Sequence, residues 1–199
     1  TDGGATWLPQ DAGTQEDLLA VSAAGESVAW AAGRRGTVLK TGDGGSTWEA
    51  LEPGLGRDIY DIAAVDADTA WAVAEGPVVL RTGDGGLTWE HHDPGNLNPL
   101  ARNGQPRRGA TWAAGENGTI LRSDDGGETW ELQTSNTADH LVSICAVDED
   151  SAWAAGELGT ILKTSDAGLT WTAGDAGVDA LTTTLFALDG QTAWAAGSG

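Results

Sequence analysis

Apolar and polar residues follow a pattern that recurs along the whole chain. In one copy, residues 58–65 are rich in β-branched and aromatic side chains and alternate in part with polar ones, which predicts a β-strand. After a polar break, further strands are predicted at residues 69–73 and 78–82, and a turn at 84–86 leads into a fourth. Short strands separated by frequent turn signals predict an all-β fold.

This unit recurs with a strict period of 41 residues. Two series of tryptophans keep the same spacing and account for all ten in the chain: Trp7, Trp48, Trp89, Trp130 and Trp171, and Trp30, Trp71, Trp112, Trp153 and Trp194. Five copies of a four-stranded antiparallel unit predict a β-propeller. We interpret the tryptophans as packing between blades, because each buries about 150–250 Å². A sugar-binding cleft lined by tryptophans is the alternative.

The repeat divides the chain, as one domain, into blades covering about residues 8–48, 49–89, 90–130 and 131–171. A closing blade would combine residues 172–199 with residues 1–7, and only its third strand has no counterpart in the sequence. This division favours a five-bladed ring closed by strands from both ends of the chain. Part of a ring of six to eight blades is the alternative.

The turn between the third and fourth strands carries a second repeated motif. It reads TGDGGSTW over residues 41–48 and resembles the Asp-box, or BNR repeat. We expect each Asp to accept hydrogen bonds within its own turn, and the following tryptophan to anchor the next strand. These structural residues are Asp2, Asp43, Asp84, Asp125 and Asp166, with Trp7, Trp48, Trp89, Trp130 and Trp171. Calcium binding is the rival interpretation, but no copy has the spacing of a dedicated calcium loop.

A longer consensus, running from the second-strand tryptophan to the Asp-box tryptophan, is visible over residues 112–130 and 153–171. It resembles the photosystem II stability and assembly factor family of propellers more than the sialidases. The resemblance implies a non-catalytic scaffold that binds or assembles proteins. A sialidase-like glycoside hydrolase or a carbohydrate-binding propeller is the alternative, since one fold hosts many functions.

Signals for catalysis are weak. A resemblance to sialidases would imply a tyrosine nucleophile. Tyr60, the only tyrosine, occupies an ordinary strand position of the repeat. Among the many carboxylates, a glycosidase pair could be drawn from Asp58, Asp61 and Glu75, although nothing distinguishes them from solvated acids. The adjacent pair at residues 91–92 is a weak metal-ligand signal with no evident third member. We therefore predict no metal and no cofactor.

Composition narrows the choice of partners. The net charge is −20, from 30 acidic and 10 basic residues, which disfavours nucleic acid as a partner. The acidic surface suggests a source that lives in high salt, and a very soluble acidic protein is the alternative. No apolar run is long enough for a membrane helix.

The single cysteine, Cys145, lies in an apolar run and is predicted to be a core residue. The start at Thr1, with no leader, suggests a processed piece, and we expect an extracytoplasmic or secreted location.

Basic residues become informative where they depart from the repeat. Four of them share one third-strand position and belong to the blade plan: Lys40, Arg81, Arg122 and Lys163. The segment 91–108 departs most, and its prolines and polar residues predict an irregular loop or a poorly formed inner strand near the channel.

One face of the ring, here called the first face, carries the connections into the first strands and the turns between second and third strands. We expect a basic patch there that receives an anionic segment of a partner protein or glycan, because arginine suits bidentate carboxylate contacts. Its predicted members are Arg34, Arg35, Arg57, His91, His92 and Arg102. The alternative is that these arginines are scattered and paired with neighbouring acids.

Overall fold

The computed structural model describes residues 5–93, 100–104, 110–125, 128–175, 177 and 181–198. These residues form eighteen β-strands and three one-turn 3₁₀ segments. None of the described helical segments has the length and apolar character needed to cross a membrane. The all-β prediction is confirmed.

The strands form antiparallel sheets that follow chain order, four of them with four strands and one with two. The first two sheets contain β1 (Leu18–Ala23), β2 (Ala29–Gly33), β3 (Val38–Thr41) and β4 (Glu49–Leu51), then β5 (Ile59–Ala64), β6 (Ala70–Ala74), β7 (Val78–Thr82) and β8 (Glu90–His92). The next contains β9 (Leu100–Gly104), β10 (Thr111–Gly115), β11 (Ile120–Ser123) and β12 (Glu131–Gln133). The last two contain β13 (Leu141–Ala146), β14 (Ala152–Gly156), β15 (Thr160–Thr164) and β16 (Thr172–Asp175), then β17 (Leu181–Ala187) and β18 (Ala193–Ser198).

Each fourth strand pairs with the third strand that precedes it in the chain. The sheets therefore cover residues 18–51, 59–92, 100–133 and 141–175, with the two-stranded sheet over 181–198. The predicted units end at the Asp-box tryptophans, and so they are offset from the sheets by one outer strand.

Tryptophans join neighbouring sheets. The second-strand tryptophan of one sheet meets the tryptophan that precedes the fourth strand of the next, edge to face. The three pairs, with their ring-centroid distances, are Trp30–Trp89 at 6.1 Å, Trp71–Trp130 at 6.4 Å and Trp112–Trp171 at 5.6 Å. The small, buried alanines of the second strands let the sheets approach closely around these rings. The predicted packing role of these tryptophans is confirmed.

A basic side chain covers the second-strand tryptophan of each four-stranded sheet from the adjacent third strand. The cation lies 4.7–5.5 Å from the ring centroid, within the range of a cation–π interaction. The pairs are Lys40 with Trp30, Arg81 with Trp71, Arg122 with Trp112 and Lys163 with Trp153. These four basic residues are part of the blade plan, as predicted.

The five sheets do not close into a ring. Their inner strands are neighbours in the order β1, β5, β9, β13 and β17, and no such neighbouring pair joins β17 to β1 within the described ranges. Apolar side chains at the two ends are exposed instead, with Val21 at 71% and Phe186 at 62%. The described residues therefore form an open, propeller-like arc and not the favoured closed five-bladed ring. The closing blade of residues 172–199 and 1–7 stays a prediction.

The N-terminal part of the predicted closing blade is only partly visible. Asp2 lies outside the described residues, and Trp7 is 88% exposed. The contribution of residues 1–7 to an outer strand stays a prediction.

The third copy of the repeat is more regular than predicted. Strand β8 is the fourth strand of the second sheet. Strand β9 is the inner strand of the third sheet and pairs with β10, where Trp112 lies opposite Gly104. The irregular-loop alternative is wrong for β8 and β9, because both pair in backbone ladders, which tolerate polar side chains. The alternative of an imperfect inner strand fits β9, whose register with β10 shifts at one residue. Residues 94–99 and 105–109 lie outside the described part.

Candidate functional site

The turns that follow the third strands, here called the Asp turns, are built around Asp43, Asp84, Asp125 and Asp166. At Asp43, Oδ1 accepts hydrogen bonds from the Thr41 hydroxyl at 2.8 Å and the Thr47 amide at 2.9 Å. Its Oδ2 accepts from the Thr47 hydroxyl at 2.7 Å. The same three bonds recur in the other three turns.

These hydrogen bonds stabilise the ionised carboxylates. Bonds from the threonine four residues later lower the pKa of Asp43, Asp84 and Asp125 from 3.8 to about 2. The pKa of Asp166 is lowered by the same kind of bond, chiefly from the Thr170 hydroxyl. Both oxygens of each carboxylate are engaged within the turn, so the geometry matches the structural role predicted for these acids.

The first face is built from a contact that recurs in several sheets. The residue after a second strand donates its backbone N–H to the carbonyl just before the first strand of the same sheet. These bonds run from Arg34 to Asp17 at 2.9 Å, from Glu75 to Asp58 at 2.8 Å and from Glu157 to His140 at 3.0 Å. In these three sheets the turn and the connection therefore lie side by side at one end of the sheet, here called the rim.

Arg34 is tied firmly into this rim. Its Nε donates to Asp17 Oδ2 at 3.0 Å, and its Nη1 donates to Asp58 Oδ2 at 2.8 Å. The hydrogen bond that Arg34 donates to Asp17, followed by the negative charges of Asp58 and Asp17, raises the pKa of the Arg34 guanidinium. Because Asp17 and Asp58 belong to different sheets, Arg34 clamps the first blade to the second.

The other two arginines, Arg35 and Arg57, make fewer or longer contacts with their neighbours. Arg35 pairs with Glu16 at 3.1 Å, yet its side chain is 78% exposed, and its backbone N–H donates to Asp58 Oδ1 at 3.0 Å. Arg57 is exposed, and its one hydrogen bond within the described ranges is a long contact of 3.5 Å from Nη1 to the carbonyl of Glu75. The structure therefore brings Arg34, Arg35 and Arg57 together on the first face. Acidic residues pair with Arg34 and Arg35, whereas Arg57 contacts only a backbone carbonyl among the described residues.

The predicted histidines lie on β8, an outer strand, and not among the arginines. His91 Nε2 donates to the carbonyl of Pro53 at 2.8 Å, and His92 packs against Trp71 with ring centroids 6.4 Å apart. No group of three His, Cys, Asp or Glu side chains in the described ranges is close enough to hold a metal. The backbone of Arg102 lies in β9, but its side chain is outside the described part.

Sequence reasoning missed a feature of every inner strand. The pairing with the second strand slips by one residue near the first face, which leaves one bulged residue in each inner strand. The bulged residues are Leu19, Tyr60, Ala101, Val142 and Thr183. They share one position of the 41-residue repeat, and that shared position was the available signal. Burial, followed by the charges of Glu75 and Asp58, raises the pKa of Tyr60.

Cys145 has a structural place that the repeat explains. Its Sγ accepts a hydrogen bond from the Ala187 amide of the next sheet at 3.4 Å. Ser22 occupies the same repeat position, and its hydroxyl accepts from the Ala64 amide at 3.0 Å. The half-buried thiol therefore links neighbouring blades, consistent with the core assignment from the sequence.

Solved propellers share this fold at low sequence identity. A structure of YCF48 bound to D1 peptide aligns over 92% of this chain and 91% of its own, with 17% identity and a TM-score of 0.52. YCF48 from Cyanidioschyzon merolae aligns over 99% and 84%, with 17% identity and a TM-score of 0.53. The GH74 enzyme of Niastella koreensis aligns over 75% of this chain but 28% of its own, with 14% identity and a TM-score of 0.63.

A search of curated proteins gave no match. The family model described as photosynthesis system II assembly factor YCF48 matches residues 1–92 and 100–165. Because those residues make up most of the sequence, and the structure shows the expected blades, the chain belongs to this family of BNR-repeat propellers.

Proposed function

We propose that this protein is a non-catalytic, protein-binding assembly scaffold, and that its first face receives a carboxylate-bearing peptide segment of a partner. Membership of the YCF48 family supports a role in protein assembly. A member of that family has been solved with a D1 peptide bound, which supports a peptide as the kind of ligand.

The observation that carries the proposal is the state of Arg57. In a chain with a net charge of −20, this guanidinium is exposed at the rim and is held by one long contact to a backbone carbonyl, within the described ranges. A guanidinium in that state can still form a bidentate pair with a carboxylate. Arg35, whose side chain is largely exposed on the same face, supplies a second contact to the peptide. Arg34 joins the connections of the first two sheets and so holds the site in shape.

The rest of the predicted patch stays a prediction. Arg102 belongs to an inner strand and His91 and His92 to an outer one, and their part in binding depends on how far the partner extends. A glycan remains the alternative ligand. For a glycosidase, Asp58 is a poor candidate, because both of its oxygens already accept hydrogen bonds, from Arg34 and from the Arg35 amide.

The proposal is tested by charge reversal at Arg57. Binding of a labelled D1 peptide to the wild-type chain and to Arg57→Glu is measured by fluorescence anisotropy. A charge-assisted hydrogen bond contributes about 1.5–3 kcal/mol, so we expect Arg57→Glu to weaken binding roughly 10- to 100-fold. Arg35→Glu is expected to have a smaller effect, because Glu16 already pairs with that side chain.

A double variant, Leu87→Asp with Leu169→Asp, is the matched control. Both leucines are 81% exposed in Asp turns on the opposite face, and together they change the net charge by the same amount as Arg57→Glu. The control should bind like the wild type. Equal loss in both variants would show a general charge effect and overturn the first-face site, and turnover of an aryl glycoside would favour the hydrolase alternative.

A further inference from the structure

A cavity of about 640 Å³ opens beside the connection that joins the third sheet to the fourth. Two apolar residues of its lining, Leu162 in β15 and Trp171, are buried in the core between these sheets. Three polar residues also line it, namely Ser135 and Asp139 in the connection and Thr160 at the start of β15. A cavity of this volume, with an apolar part and a few polar groups, is typical of a ligand site.

The second sheet shows what fills the equivalent space two repeat periods earlier. The apolar residues are the same there, Leu80 and Trp89. At the position of Ala173 in β16, however, the second sheet has His91 in β8. The Nε2 of His91 donates to the carbonyl of Pro53, and the histidine therefore bridges the outer strand and the connection. The side chain of Ala173 is too short for such a bridge, which leaves the space open.

Three further differences between the two places introduce polar or acidic groups: Pro53 is replaced by Ser135, Arg57 by Asp139 and Val78 by Thr160. The Asp139 carboxylate accepts a hydrogen bond from the Thr160 hydroxyl. Hydrogen bonds from Thr160 and then Thr137 lower the pKa of Asp139, so this carboxylate is ionised at neutral pH. Among the described residues that line the cavity, Asp139 alone carries a charge. The open space therefore places one negative charge beside apolar surface.

We propose that this cavity binds a basic side chain, lysine or arginine, of a partner polypeptide. The aliphatic part of that side chain packs against the apolar lining, and its cationic end donates to Asp139. A cationic ligand also matches the net charge of −20. The inference rests on the proposed function only for the polypeptide nature of the ligand. It gives the first face a second contact, of opposite charge to the one at Arg57.

The test is an NMR titration of the ¹⁵N-labelled 199-residue chain with the capped tripeptide Ala-Arg-Ala. The matched probe is the same peptide with citrulline, which keeps the shape of arginine but has no charge. We expect the arginine peptide to shift the amides of Asp139 and Thr160 and the indole N–H of Trp171. The citrulline peptide should bind about 3- to 10-fold more weakly, as for a partly exposed ion pair.

The variant Asp139→Asn removes the charge and keeps the size of the side chain. Against this variant the arginine and citrulline peptides should bind equally, which isolates the contact with the carboxylate. Asp150→Asn is the matched control, because Asp150 is exposed in a turn on the opposite face, where its carbonyl accepts from the Ala167 amide. This control should keep the full preference for arginine.

A second variant, Ala173→His, copies the second sheet and should close the cavity, so that both peptides bind more weakly. The proposal is overturned if the two peptides bind the wild type equally, if Asp150→Asn lowers the preference as much as Asp139→Asn, or if Ala173→His has no effect. Shifts of the same signals by a neutral sugar and not by the arginine peptide would also overturn it. Arg57→Glu should leave this binding unchanged, so a failure at one site is distinguished from a failure at the other.

Discussion

At the scale of single residues, the Asp turns show how a repeated side chain is fixed by its own backbone. Each of the four described carboxylates accepts bonds from two hydroxyls and one amide within five residues of itself. Because all partners are local, the role could be derived from the sequence motif alone.

The Asp turns predict a dependence of stability on pH. The folded-state pKa of Asp84 is about 2, below its ordinary value of 3.8, so the ionised turn stabilises the fold fully above about pH 4. That contribution is lost as the pH falls through about 2. Asp84→Asn should therefore lower the free energy of unfolding at pH 7, and the difference from wild type should disappear near pH 2. Urea unfolding at a series of pH values measures this, and a difference that persisted at pH 2 would contradict it.

The ion-pair partners of the arginines could not be derived from the sequence in the same way. Arg34 and Arg35 are adjacent in the sequence, Arg57 follows 22 residues later, and the structure places all three at the first face. Their different neutralisation depends on acids from two sheets, Asp17 in one and Asp58 in the next. Sequence reasoning could place these side chains on a face but could not assign their partners, because ion pairs between blades depend on packing.

At the scale of elements, the turn after the second strand depends on a glycine at one repeat position in three sheets, at Gly36, Gly118 and Gly159. Gly36 has a φ of +76°, and a Cβ there would overlap the carbonyl oxygen of Leu55 in the next connection. The turn and the connection can approach closely only because residue 36 has no side chain. The repeat gave the spacing of these glycines, while the bulges of the inner strands had no signature beyond a shared position.

We predict that Gly36→Ala destabilises the protein strongly. The left-handed backbone alone should cost about 1–2 kcal/mol, and displacement of the connection adds to it. Gly42→Ala is the control, because Gly42 has open space around it and an ordinary φ, and it should change the free energy of unfolding by no more than about 0.5 kcal/mol. Thermal or urea unfolding of both variants checks the prediction, and similar stability of the two would contradict it.

At the scale of the whole molecule, the period of the tryptophans was sufficient to predict the blades but not their closure. The contact between neighbouring sheets, such as Trp30 against Trp89, recurs with the 41-residue period. The packing of one pair of sheets could therefore be extended along the chain. The resulting arc leaves turns and connections side by side on the first face, and exposed apolar side chains at both ends.

The most direct test of the central claim is to map where a peptide contacts the arc. Hydrogen–deuterium exchange of the chain is measured with and without the D1 peptide. The first-face site predicts slower exchange at residues 34–37 and 55–60, and unchanged exchange in the Asp turns at 43–46 and 84–87 on the opposite face. Protection of the Asp turns with an unprotected first face would contradict the account.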